Sequence, residues 1–230
     1  MRLLQFSTSH YCRKARLTLG YKGISYEVEN LTPGAHVLKL KPLVGTTTLP
    51  VLLPEQTKHP IAVGDSTAIA QFLEAHYPNP PLSLPTSSAA AEMWMIEDWL
   101  DESIGTATRF VYYDFRSKAG KSIDPSIASQ LVIGVVRWQY GMNPTRVKLA
   151  EQRLESGVNS LGERWKTQDY LVGDRLTIAD ITAAALLSPL ALIPSYRQRY
   201  PWLFDRICQV HHRCREPLPP GLQEEPWGDR

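Results

Sequence analysis

Short apolar runs alternate with helical periodicity through the first 78 residues of the chain, whereas helical periodicity alone governs most of the remaining length. Residues 2–6 and 25–29 read as short strands on either side of a helix from about Ser9 to Tyr21, which Gly23 is placed to terminate. A second block carries a strand around Leu49 to Leu53, another at 60–63, and then a helix in "DSTAIAQFLEAHY". In that helix Ile69, Phe72 and Leu73 share one face, and Pro78 stops it. Strands and helices in this mixed order predict a small α/β domain over residues 1–78.

A proline-rich linker over residues 79–86 changes the pattern. Four of the eight residues from Pro78 to Pro85 are proline, so this stretch is stiff and extended. Strand signals then vanish. Residues 87–214 predict an all-helical domain, in which Ala150, Leu154, Val158, Leu161 and Trp165 recur at helical spacing. "GDRLTIADI" contains a capping box, with Thr177 at the N-cap, Asp180 three residues on, and Leu176 and Ile181 placed for a hydrophobic staple. The apolar run from Ile181 to Ile193 is shorter than the roughly 20 residues that span a bilayer and contains Pro189, so a buried, kinked helix is expected. Residues 215–230 read as a mobile C-terminal tail.

Composition narrows the class of protein. At 230 residues and 43% hydrophobic content the chain is globular, and its formal net charge of +2 is made of interspersed signs. That balance argues against nucleic acid or an anionic membrane as partner, since only the stretch from Arg13 to Arg16 is locally basic. The N-terminus turns polar too soon for a signal-peptide core. Three cysteines, at 12, 208 and 214, form no disulfide framework and fit a reducing, cytoplasmic compartment. "CQVHHRC" at 208–214 lacks the spacing and the second cluster of a structural zinc site; a solvated helix, and no metal, is expected.

Candidate chemistry concentrates in three motifs. "STSHYCRKARLTLGYKG" places Ser9 at a helix start, where a hydroxyl can cap, and Cys12 three residues on. "TLPVLL" puts Pro50 inside a strand pattern, so either the strand begins there or the Leu49–Pro50 bond is cis. "VGDSTAIAQFLEAHYP" sets Asp65 and Ser66 at another helix start, where Ser66 can cap while Asp65 remains available to an ammonium.

The first domain resembles thioredoxin, and the ordered set "SHYCRKARLTLGYKGISYEV", "TLPVLL", "GDSTAIAQFLEAHYP" and "YLVGDRLTIADITAAALL" resembles the cytosolic glutathione transferases over nearly the whole chain, to about residue 214. The resemblance implies a thioredoxin-like N-terminal domain, an all-α C-terminal domain, glutathione as co-substrate with no further cofactor, an electrophile site between the domains, and a homodimer. It places Ser9 against the glutathione sulfur, and Cys12 where a CxxC motif has its second cysteine. Leu49, with Pro50 at the family's cis-proline position, falls against the cysteinyl part, and Asp65 and Ser66 at the γ-glutamyl end. "KPLVGTTTLPV" departs from the family pattern, leaving His36, Lys39 and Lys41 as candidates for the glycyl carboxylate.

Tyr11, Arg109, Tyr112, Tyr113, Phe115 and Trp138 are candidates for lining the pocket of a small hydrophobic electrophile, with core packing as the competing account of such an aromatic stripe. The function expected is conjugation of the glutathione thiolate to small electrophiles, of a detoxifying kind. Two alternatives stand beside it: a thiol oxidoreductase or dehydroascorbate-type reductase using Cys12, and a glutathione-binding module with little turnover.

Overall fold

The computed structural model describes residues 1–54 and 62–222. Strand β1 (Arg2–Gln5), helix α1 (His10–Tyr21) and strand β2 (Glu27–Asn30) form a unit in which the two strands run parallel. Strands β3 (Val51–Leu53) and β4 (Val63–Gly64) add on antiparallel, giving the order β2-β1-β3-β4. Alternation along the strands separates two cores. Leu3 and Leu52 point to the face covered by α1 and by α3 (Ser66–His76), where they meet Ala15, Leu19, Ile69 and Leu73. Leu4 and Val51 point the other way and pack with Leu40.

Leu40 belongs to α2 (His36–Val44), a helix the sequence pattern did not announce. Pro42 lies inside it, which removes one helical donor, and its N-terminal cap residue Ala35 supplies no side-chain bond. Burial of Leu40 against the sheet stabilises the helix where propensity does not, and Gly45, at φ 73°, ends it with its N–H on the Lys41 carbonyl. The strand expected at 60–63 is found as Val63–Gly64; residues 60 and 61 lie outside the described residues.

The linker is held at both ends. Glu74 accepts the amides of Leu82 and Ser83, the Leu82 carbonyl accepts from Ile178, and Leu82 and Leu84 are buried. Beyond it run α4 (Ser87–Asp98), a π-helical segment (Trp99–Ile104), α5 (Gly105–Ser117), α6 (Ile127–Gln139), α7 (Pro144–Trp165), α8 (Ile178–Leu187), α9 (Pro194–Arg199) and α10 (Pro201–Arg213). Every residue of α8 is buried, and a short 3₁₀ turn, Ser188–Leu192, comes next at Pro189. Thr177 and Asp180 form the expected capping box. No helix among the described residues is long and apolar enough to cross a membrane.

Two expectations fail at the C-terminus. Cys214 and His211 are fully buried, so "CQVHHRC" is not a solvated helix face, because α10 turns that side toward the core. Residues 215–222 are not a loose tail. The Pro217 carbonyl accepts from His211 at 2.8 Å, the Gly221 carbonyl accepts from Arg197 at 3.2 Å, and Glu216 pairs with Arg16 of α1 at 2.5 Å. Residues 223–230 lie outside the described residues.

Candidate functional site

Strand register brings the three motifs together. Leu4 pairs with Val51 and Val51 with Gly64, so the C-terminal end of β1, the start of β3 and the end of β4 lie side by side. From these ends leave the loop to Ser9, the approach through Leu49 and Pro50, and the turn at Asp65 and Ser66. The Leu49–Pro50 bond is cis.

Ser9 is the N-cap of α1. Its backbone is extended and its Oγ accepts the Cys12 amide at 3.3 Å, while the first-turn N–H groups point outward at the sheet end. Cys12 lies beneath it with no solvent exposure. Burial pushes the Cys12 thiol pKa up, against opposing hydrogen bonds from the Ser9 side chain and the Phe6 backbone. The helix start therefore presents an accessible hydroxyl above a shielded thiol.

At the second helix start Asp65, not Ser66, is the cap. Its Oδ1 accepts both Thr67 N at 2.8 Å and Ala68 N at 3.0 Å. Ser66 is already the first helical residue, so its side chain turns inward, 1% exposed, with Oγ 3.4 Å from Asp101 Oδ1. Asp65 holds φ at 74° with ψ at 139°, a backbone conformation rare for residues with a Cβ and worth on the order of 1–3 kcal/mol of strain. The conformation leaves the carboxylate exposed at the start of α3, with Oδ1 on the Thr67 and Ala68 amides and Oδ2 turned away from them.

Behind Ser66 lies a buried charge cluster. Lys14 Nζ bonds Thr67 Oγ1 at 2.8 Å, Asp101 Oδ1 at 2.5 Å and the Glu97 carboxylate. The π-helical segment makes this possible. It offsets the ladder so that the Asp101 carbonyl accepts Tyr11 OH at 2.8 Å, and the Gly105 carbonyl just beyond accepts His10 Nε2 at 3.2 Å. Burial, then the Arg109 cation, lowers the His10 pKa to about 3, so the ring is neutral and Nε2–H is the donor. One face of α1 is thereby fastened to the helical domain.

The candidates for the glycyl carboxylate all lie on α2. Lys39 is paired with Glu29, His36 accepts the Gly34 amide at Nδ1 and meets Phe6 edge-on at 4.9 Å, and Lys41 is exposed.

A cavity of about 320 Å³ opens beside the Ser9 loop. Ser7, Thr8, Arg13, Arg16, Tyr112, Ser188 and the Glu216 carboxylate supply its polar lining, and Pro189, Leu192, Leu218 and Pro220 its apolar wall. Of the six residues expected to line an electrophile pocket, Tyr112 alone lines this cavity. Tyr11 and Tyr140 sandwich the Arg109 guanidinium at 5.0 and 4.5 Å, and Tyr113 stands edge-on to Tyr112. Phe115 is packed onto Gly120, and Trp138 is 83% exposed on the outer face of α6. The sequence pattern does not single out Arg13, Arg16 or Glu216 as site residues; the locally basic stretch is their only signal.

Among the described residues no group of three or more His, Cys, Asp or Glu side chains is placed to hold a metal ion.

A thioredoxin-like domain followed by a helical domain docked on its first helix defines a two-domain class of protein. Residues 3–81 match the family model described as glutathione S-transferase, N-terminal domain, and residues 97–205 the one described as glutathione S-transferase, C-terminal domain. The chain belongs to the glutathione S-transferase family. Its fold is similar to that of a glutathione S-transferase from Methylobacterium radiotolerans in complex with glutathione sulfonate, with a TM-score of 0.72 and 23% identity over 100% of this chain and 98% of that one. A second similar structure is a glutathione S-transferase from Methylobacillus flagellatus with glutathione bound, TM-score 0.68, 19% identical, covering 91% of this chain and 94% of that one. Among curated proteins it is similar to a stringent starvation protein A homolog from Pasteurella multocida, 29% identical over 104 residues. That match spans 43% of this chain and 47% of the relative, about half its length.

Proposed function

We propose that the protein binds glutathione at the sheet end shared by Ser9, Pro50 and Asp65, and joins its sulfur to a small electrophilic carbon. The observation that carries this reading is the register that gathers a capped helix start, the strand start at Pro50 and an acidic helix start at one edge. Glutathione sulfonate in one similar structure and glutathione in another support the same ligand class here.

Each part has a task in that reading. Asp65 accepts the γ-glutamyl ammonium on its Oδ2, and the Ser66 amide, the first of α3, meets the γ-glutamyl carboxylate. The backbone at Leu49 pairs with the cysteinyl unit in the manner of an added strand. The glycyl carboxylate falls to His36 or Lys41, or to Lys39 if it exchanges Glu29 for the ligand. Ser9 donates its hydroxyl proton to the sulfur.

A free thiol of pKa about 8.5 is only a few per cent ionised at neutral pH, and each unit is about 1.36 kcal/mol. A hydrogen bond to a charged sulfur contributes about 1.5–3 kcal/mol and the helix terminus up to about 1. Together they lower the pKa by about two units, enough to make the thiolate the main form. The hydroxyl also bonds the Cys12 thiol, but a thiolate is the stronger acceptor and the O–H rotor is free to turn to it. Exchange chemistry at Cys12 is disfavoured, because mixed disulfides need an accessible thiolate and this thiol is buried with a raised pKa.

The protein is proposed to act as a cytoplasmic homodimer. Support comes from three cysteines that form no disulfide and from an apolar stripe on α6, where Ile127, Leu131, Val135 and Trp138 are all more than half exposed. The test of function is calorimetric titration with glutathione, followed by absorbance assays of conjugation to chlorodinitrobenzene. Saturable binding with turnover is expected. Binding without turnover leaves a glutathione-binding module, and absence of binding overturns the proposal.

A further inference from the structure

Arg13 is 6% exposed, yet among the described residues no carboxylate is paired with it; its hydrogen-bond partner is the Ser188 hydroxyl, which donates in turn to the Ala185 carbonyl. A guanidinium taken out of water with no carboxylate in direct contact is an unfavourable arrangement in a resting protein. The neighbouring Arg16 differs, for Glu216 neutralises it at 2.5 Å and Gln5 accepts from it. The cavity is thus lined by two guanidinium charges and the single Glu216 carboxylate, which pairs directly with Arg16 and reaches Arg13 only at longer range, and the lining keeps an excess of one positive charge. Burial, then repulsion by Arg16, lowers the Arg13 pKa to about 10, which still leaves it protonated at neutral pH.

The rest of the lining fits an anion joined to an apolar body. Tyr112 OH accepts from Arg116 at 3.0 Å, which leaves its own proton to donate into the cavity. Ser7 and Thr8 add hydroxyls from the loop that ends at Ser9. Opposite them Pro189, Leu192, Leu218 and Pro220 form the apolar wall, and residues 215–222 hold that wall in place.

We propose that this cavity binds the anionic group, a carboxylate, sulfonate or phosphate, of an otherwise apolar electrophile, with Arg13 as its counter-charge. The inference rests on the glutathione-transfer reading and names its second substrate class. The anion takes no part in the chemistry. With an aryl chloride, the glutathione sulfur forms a C–S bond at the ring carbon, chloride leaves with the electrons of the C–Cl bond, and the carboxylate stays bound and unchanged.

The test compares chloronitrobenzoate with the neutral chloronitrobenzamide, each kcat/KM divided by the uncatalysed rate with glutathione. Wild type is expected to favour the acid by about tenfold or more, as a charge-assisted contact in a partly dry site gives. Arg13→Gln should bring the ratio near one without changing calorimetric affinity for glutathione. Arg13→Lys, which keeps the charge but loses the fork, should retain part of the preference. A wild-type ratio of one or less overturns the inference whether or not a variant folds, as does a ratio unchanged in both variants. If glutathione does not bind at all, the transfer reading fails, and the anion site is judged alone by dye fluorescence. Anilinonaphthalene sulfonate should then bind at least tenfold more tightly than neutral N-phenylnaphthylamine and be displaced by chloronitrobenzoate. Equal binding of the two dyes removes the site.

Discussion

Lys14 Nζ lies 2.5 Å from Asp101 Oδ1 across the boundary between the two domains, with the lysine side chain wholly enclosed and the aspartate side chain 8% exposed. Glu97 and Thr67 complete the lysine's shell, so one α1 side chain ties the sheet domain to the π-helical segment and to the start of α3. Lys14→Met would leave two buried carboxylates facing each other without a cation. Loss of one partner from such a cluster costs about 3–5 kcal/mol. Urea unfolding should show that loss, and adding Glu97→Gln and Asp101→Asn should recover part of it. An unchanged midpoint for Lys14→Met alone would contradict this geometry.

Asp180 is a second polar anchor. Its carboxylate accepts from Leu171 N at 2.8 Å, Trp165 Nε1 at 3.1 Å, and both the amide and hydroxyl of Thr177 at 3.0 and 2.9 Å. Asp180→Ala strands these donors beside a buried helix, so the cost should exceed the ~1 kcal/mol of a simple cap and reach about 3 kcal/mol. Glutathione affinity per folded molecule should hold. A fixed denaturant midpoint with collapsed affinity would reverse the assignment.

These two anchors differ in how far the chain announces them. Thr177 and Asp180 are three residues apart, so a capping box is visible in sequence. Lys14 meets partners 83 and 87 positions away, and nothing local marks it. The same distinction runs through the site. Ser9, Pro50 and Asp65 are legible because each sits at the end of a short element with a local signature. Which of Asp65 and Ser66 caps was not legible, because that depends on the positive φ at Asp65. Helix α2 was hidden by Pro42 and by a stabilising contact, Leu40 on the sheet, that is purely tertiary. The cavity needed four distant segments, residues 7–16, Tyr112, residues 188–192 and residues 216–220, and no periodicity connects them.

Acid should destabilise the protein in a window set by two buried histidines. His10 has its pKa lowered from 6.5 to about 3, by burial first and the Arg109 cation second. His211 is lowered to about 4, again chiefly by burial. The unfolded chain binds these protons below about pH 6.5 while the folded protein does not, so stability is full above that value and falls as pH drops toward 3. The His10 share is on the order of a few kcal/mol. Unfolding free energy measured from pH 7 to pH 4 should fall, and His10→Gln should flatten the slope. A slope untouched by the substitution would assign the acid sensitivity elsewhere.

The α6 stripe makes its own prediction. Leu131 is 64% exposed between Ile127 and Val135 on one helix face, and an acidic side chain there leaves the fold's core untouched. If two copies associate through this face, Leu131→Glu should shift the sedimentation coefficient from dimer to monomer with the unfolding midpoint little changed at low concentration. A wild type that sediments as a monomer, or a variant that remains a dimer, dismisses the stripe as the interface.

Ser9 and Cys12 are joined by the hydrogen bond from the Cys12 amide to Ser9 Oγ, with Ser9 half-buried and Cys12 enclosed, and the proposed mechanism gives them opposite roles. Ser9→Ala removes a placed donor to the bound sulfur and should lower conjugation by about ten- to a thousandfold, with a further ~1 kcal/mol lost from the helix cap. Cys12→Ala removes a shielded thiol and should leave turnover within about twofold, at a modest stability cost for the small cavity. Thiol titration separates the two further. Cys12 and Cys214 are both buried with raised pKa values, so a disulfide reagent at pH 8 should leave both unmodified in the native protein and modify all three cysteines in denaturant. Ser9→Cys then inverts the arrangement, because a thiol at the accessible helix tip gains the amide field that Cys12 cannot use, and exchange with glutathione disulfide should appear as conjugation falls. Both activities measured in all three variants at saturating glutathione decide the matter: if Cys12→Ala abolishes activity while Ser9→Ala keeps it, the serine mechanism is wrong and the buried thiol must become exposed during turnover.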